Sequence, residues 1–104
     1  MLEKLEKEIQ EQFGADKVLY DPFNMYSFMF DIRFSPYFGV VFEVEKIPEV
    51  DCYILTHSGH FTPKECVGTG RHTLNSEKEL LSKLKEVLEE YNKVSDILNN
   101  LYKE

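Results

Sequence analysis

Met25-Tyr26-Ser27-Phe28-Met29-Phe30-Asp31-Ile32-Arg33-Phe34, then Ser35-Pro36-Tyr37, then Phe38-Gly39-Val40-Val41-Phe42-Glu43-Val44-Glu45, is the stretch that decides the fold. Tyr26, Phe28, Phe30, Ile32 and Phe34 alternate with smaller or polar residues, and Phe38, Val40, Phe42 and Val44 do the same. A period of two marks strands with one apolar face, and two such runs around a proline-containing turn mark a hairpin. The side-chain pattern also sets the register. If Phe34 pairs with Phe38, then Ile32 meets Val40, Phe30 meets Phe42 and Phe28 meets Val44. A one-residue slip would put Phe28 across from Glu43 and carry charge into the core. This register implies a loop of three residues, Ser35 to Tyr37.

Helices are expected on both sides of the hairpin. Leu2, Leu5, Ile9 and Phe13 recur at helical spacing within 2–13, and Gly14 stands where a helix end favours a left-handed residue. Residues 17–20 suit a short edge strand, and Asp21-Pro22-Phe23-Asn24 suits a turn. Residues 51–57 read as a third strand whose inward set is either Cys52 and Ile54 or Tyr53 and Leu55. Residues 58–75 show no period and read as a loop, with a short strand at 65–68 as its one ordered piece. Ser76 and Glu79 then form an S-x-x-E capping box. Beyond it, Leu80, Leu84, Val87, Tyr91, Val94, Leu98 and Leu101 repeat at alternating four- and three-residue steps. Either one long helix over 77–103 or two with a break near Asn92–Asp96 fits this pattern. Glu79–Lys83 and Glu89–Lys93 are helpful i,i+4 pairs.

The order of elements implies a single α+β domain over 1–104. It has a three- to four-stranded antiparallel β-meander, an N-terminal helix and a long C-terminal helix in two layers. With 104 residues the chain is long enough to build a core without disulfide or metal.

Composition narrows the function. The net charge is −7 and aromatic residues make up 13% of the chain. An acidic balance argues against direct nucleic-acid binding, which needs lysine and arginine on phosphates. No apolar run is long enough to span a membrane. The charged N-terminus lacks the form of a signal peptide, and Cys52 and Cys66 are too few for a disulfide framework. A cytoplasmic protein is expected.

Four constellations carry the candidate chemistry. In the hairpin register, Asp31, Glu43 and Glu45 share the face opposite the phenylalanines, and Glu49 and Asp51 follow. Carboxylates among Met and Val residues suit a partner-binding surface for a basic protein. His57, His60, Cys66 and His72 are weak metal candidates, since they carry suitable donors but not the spacing of a known zinc motif. Cys66 beside a histidine lacks the surroundings of an activated nucleophile. Gly68-Thr69-Gly70-Arg71-His72 lacks the length and lysine of a phosphate-binding loop and reads as a turn.

The expected function is therefore that of a non-catalytic acidic protein-binding module without a cofactor. Its expected role is an inhibitor of the immunity or phage anti-defence type, occluding a basic nucleic-acid-binding surface on its partner. The comparison with such inhibitors rests on size and charge alone. One alternative is a small metal- or anion-binding enzyme or ligand-binding domain using 57–72. Another is a structural homodimer formed through Leu84, Val87, Tyr91, Val94, Leu98 and Leu101, residues that serve equally as a packing seam within the chain.

Overall fold

The computed structural model describes residues 3–14, 17–21, 24–61 and 65–101. Leu2, the turn expected at Pro22–Phe23, and the side chains of Met25, Cys66, Leu98 and Leu101 lie outside the described residues. The elements run α1 (Glu3–Phe13), β1 (Lys17–Asp21), β2 (Asn24–Ser35), β3 (Phe38–Lys46), β4 (Tyr53–Phe61), β5 (Glu65–Leu74) and α2 (Glu77–Leu101). The strands form one antiparallel sheet in the order β1-β2-β3-β4-β5. This is the expected α+β meander between two helices. It has five strands, because the 17–20 run pairs with β2 and the segment expected as a loop is strand.

The hairpin register is the one that the phenylalanine pattern requires. Phe28 pairs with Val44, Phe30 with Phe42 and Ile32 with Val40. At the tip it departs from expectation. The register shifts between Arg33 and Ser35, so that Ser35 rather than Phe34 pairs with Phe38. The turn is therefore Pro36-Tyr37, and Phe34 is the extra residue of a bulge. Its ring still stacks on Phe38, with centroids 5.5 Å apart. The turn is closed by the Arg33 guanidinium donating to the Pro36 carbonyl (2.9 Å) and the Tyr37 amide donating to Ser35 Oγ (3.2 Å).

Both helices bury their apolar stripes against the phenylalanine face. Leu5 and Ile9 of α1, and Leu80, Leu84, Val87 and Tyr91 of α2, join Phe28, Phe30, Phe38, Val40, Phe42, Val44 and Leu55 in one core cluster. Each large apolar side chain so buried contributes roughly 1.5–3 kcal/mol. On β4 the inward set is Tyr53 and Leu55, with Cys52 and Ile54 half-buried. The pairing of Val44 with Leu55 decides that parity, since paired residues share a face.

Helix ends behave as their residues dictate. Gly14 adopts φ 65° and donates its amide to the Gln10 carbonyl at 3.0 Å. At the start of α2, Ser76 Oγ accepts from the Glu79 amide at 3.1 Å. The Glu79 carboxylate accepts from the Asn75 amide at 2.8 Å, one residue before the usual partner. With Glu79 so engaged, Lys83 pairs with Glu86 at 3.3 Å instead. α2 is unbroken through Asn92–Asp96. Leu84, Val87 and Tyr91 of the seam are buried within the chain, Val94 packs against the core, and Ile97 is exposed. No helix among the described residues is long and apolar enough to cross a membrane.

Candidate functional site

The two sides of the sheet place the candidate residues in different environments. The outward side carries Met29, Asp31 and Arg33 from β2, Val41, Glu43 and Glu45 from β3, and Ile54, Thr56 and Ser58 from β4. Cross-strand pairing aligns Asp31 with Val41, Met29 with Glu43, and Ser27 with Glu45. Glu43 is then flanked by Thr56 and Glu45 by Ile54. The three carboxylates therefore lie on one surface, as the alternation requires. Each is half-buried by its strand neighbours, and Met29 is 39% exposed. Because both helices occupy the other side, this face is built from strand side chains alone among the described residues. Arg33 lies at the hairpin tip. Lys17 of β1 is in register with Asp31 and Arg71 of β5 with Thr56, so Asp31 has a cation in register beside it whereas Glu43 and Glu45 do not.

Glu49 and Asp51 are both exposed in the β3–β4 connection, where the Asp51 charge acts on the inward-facing Tyr53. The connection is closed by the Ile47 amide donating to the Cys52 carbonyl at 2.9 Å. Lys46 Nζ donates to the Val50 carbonyl at 3.0 Å. Glu49 adopts φ 70°, a left-handed conformation that side chains other than glycine's rarely take.

The histidines, weak metal candidates in the sequence, lie on strands rather than in a shared loop. His57 lies on β4 and His72 on β5, both half-buried on the helix side, whereas His60 is exposed and bonded to Ser58 Oγ at 2.9 Å. Alternation along β4 is the reason: residues 57 and 60 are an odd number apart and face opposite ways. Gly68 and Gly70, expected in a turn, lie within β5 opposite Gly59 and His57.

The glycines have a packing reason. A Cβ on Gly59 would stand 2.7 Å from the Tyr91 ring, one on Gly68 would stand 3.3 Å from the Tyr91 hydroxyl, and one on Gly70 would collide with His57 Nε2. Three bare backbone positions on two strands thus admit a phenol from α2 and an imidazole from β4. Glycine inside a strand signals such close approach as readily as it signals a turn.

The groups so admitted form a chain of hydrogen bonds. His57 Nε2 lies 3.2 Å from His72 Nε2, His57 Nδ1 lies 2.8 Å from the Tyr91 hydroxyl, and that hydroxyl donates to the Gly68 carbonyl at 3.1 Å. A phenol has one proton and a carbonyl only accepts. With the phenol proton on Gly68, His57 Nδ1–H must donate to the phenol oxygen. His57 Nε2 is then an acceptor, and His72 Nε2–H donates to it. Burial lowers the His57 pKa, His72 lowers it further, and Glu90 opposes both. Beside this chain, His57, Gly68, Thr69, Glu90, Tyr91 and Val94 line a cleft of about 220 Å³ between β5 and α2. At the other end of β4, the Tyr53 hydroxyl donates to Glu77 Oε1 at 3.4 Å. Burial, followed by the charges of Glu77 and Asp51, raises the Tyr53 pKa.

Compared with known proteins, the chain matches no family model, no curated protein and no solved structure.

Proposed function

We propose that this chain is a non-catalytic acidic protein-binding module. In this reading its uncovered sheet face docks on a basic surface of a partner protein. The observation that carries it is the convergence of Asp31, Glu43 and Glu45 on the side of the sheet away from both helices, around Met29. Carboxylates steer the encounter with a basic surface, and partly exposed Met29, Val41 and Ile54 supply apolar anchors once water is displaced. Glu49 and Asp51 extend the negative rim. A partner surface of this kind is what nucleic acid would otherwise occupy, so binding would inhibit by occlusion. The net charge of −7 suits this role, as does a cytoplasmic setting in which Cys52 stays reduced.

The test is affinity capture from host lysate at low and high salt, with wild type, with Asp31→Lys/Glu43→Lys/Glu45→Lys, and with a control reversing Glu86 and Glu89 on α2. The reading expects a basic protein that is retained at low salt, released at high salt, lost with the sheet-face reversal and kept with the control. A retained partner that ignores the sheet-face reversal overturns it.

A further inference from the structure

His57 and His72 bring their Nε2 atoms to 3.2 Å from adjacent strands, and their rings stack with centroids 5.3 Å apart. No group of three or more His, Cys, Asp or Glu residues is assembled for a metal among the described residues, so what the two nitrogens share is a proton. Its place is set from the far end of the hydrogen-bond chain. The Tyr91 hydroxyl donates to the Gly68 carbonyl, His57 Nδ1–H donates to Tyr91, and His72 Nε2–H donates to His57 Nε2. His72 Nδ1 is the one ring nitrogen of the pair outside this chain.

Counting protons shows what acid does here. A first added proton on His72 Nδ1 makes one imidazolium and leaves every bond in place, with the Nε2–H bond now charge-assisted. A second must go to His57 Nε2, the acceptor of that bond. Two N–H groups would then point at each other across 3.2 Å, each on a half-buried cation. The contact cannot survive that state.

Packing decides which ring yields. His57 sits on β4, a strand paired on both sides. Tyr91 of α2 stands edge-on to it with centroids 5.3 Å apart, the Phe42 ring of β3 lies 6.1 Å away, and a Cβ on Gly70 of β5 would collide with its Nε2. Glu90 of α2 also acts on His57 and favours its charged form, while Phe42 brings no titratable group. His72 lies on β5 at the edge of the sheet, with Leu55 as its register partner, and can turn to solvent.

We propose that His57 and His72 form a two-proton acid switch: the pair stays in contact while it is neutral or carries one charge, and His72 swings out from the β5 edge when both imidazoles are charged. Tyr91 still accepts from the His57 imidazolium, so α2 stays docked while β5 loses this side-chain link to β4.

The experiment is histidine side-chain NMR of the nitrogen-15-labelled full chain between about pH 8 and pH 4.5. At the neutral end His57 is expected as the Nδ1–H tautomer and His72 as the Nε2–H tautomer. On acidification the nuclear Overhauser contact between the two rings should persist through the first protonation of the pair and vanish with the second. Contacts of His57 with Tyr91 and of Phe30 with Phe42 should last throughout. In His72→Gln, whose side chain donates the same bond and never charges, His57 should take up its proton in one step and at higher pH than in the wild type. A contact between the two histidine rings that outlasts the second protonation overturns the proposal, as do reversed tautomers at the neutral end. Loss of the Phe30–Phe42 contact in the same or an earlier step also overturns it, since the event is then global unfolding. So does an unchanged His57 titration in His72→Gln.

Discussion

His57 Nδ1 and the Tyr91 hydroxyl, 2.8 Å apart, join the middle of β4 to the third turn of the buried α2 stripe. The contact is polar in an otherwise apolar layer, and it is satisfied at both ends by His72 and Gly68. Tyr91→Phe keeps the ring and removes the link. The expected cost is about 1–2 kcal/mol, the price of one broken and partly desolvated bond. Urea denaturation measures it, with an unchanged far-ultraviolet spectrum as the control.

The same histidine makes stability depend on pH with a definite sign. Its folded pKa lies below the ordinary value of about 6.5. As pH falls through that ordinary value, the unfolded chain takes up the proton before the folded chain does. Stability from this group is therefore complete above about pH 6.5 and declines as pH drops toward the folded pKa, then levels off below it. His72, Tyr91 and Glu90 all face the imidazole, and Glu90 tempers the effect. Urea midpoints measured between about pH 5 and pH 8 should rise with pH in the wild type and rise less steeply in His57→Gln.

Alanine at three glycines should give three different results. Gly59→Ala drives a Cβ into the buried Tyr91 ring, 2.7 Å away, and is expected to cost about 1–3 kcal/mol. Gly14→Ala meets no atom but must hold φ 65°, for a cost of about 1 kcal/mol. Gly39→Ala meets the exposed Arg33 side chain, whose Nη1 at 2.7 Å and Cδ at 3.0 Å must swing aside at the expense of the bond to the Pro36 carbonyl, and its effect should stay near about 0.5 kcal/mol. The ranking, read from denaturant midpoints, is the check.

Glu49 is held left-handed in the β3–β4 connection. Glu49→Gly relieves that conformation and should stabilise the fold by about 0.5–1 kcal/mol. It also removes a carboxylate from the proposed docking rim. A higher Tm together with weaker partner capture is the expected pair of results.

Much of the fold was legible because the phenylalanines admit one register. Phe28, Phe30 and Ile32 set the pairing of β2 with β3, and that pairing carried Asp31, Glu43 and Glu45 to the opposite face. The bulge at Phe34 was not legible, since local turn geometry around Pro36 outweighed one more apolar pair. β5 was legible only in its first residues, 65–68, and its continuation to Leu74 was hidden for a related reason. Gly68 and Gly70 carry no side chain to show a period, and their purpose becomes visible only when Tyr91, 23 residues after Gly68, arrives against them. The His57–His72 pair was hidden with it. The two histidines stand fifteen positions apart in the chain, and only the pairing of β4 with β5 brings them together.

Every strand of this sheet pairs with its immediate predecessor in the chain. Each pairing closes a short loop, so the ordering entropy of one hairpin is largely spent before the next begins. Low contact order of this kind favours rapid folding by successive zippering. α2 departs from this pattern, since its Tyr91 must find His57 at a sequence separation of 34. Docking of that helix is thus less local than any of the strand pairings. In amide hydrogen exchange, undocking of α2 should appear as an opening event separate from loss of the β2–β3 hairpin.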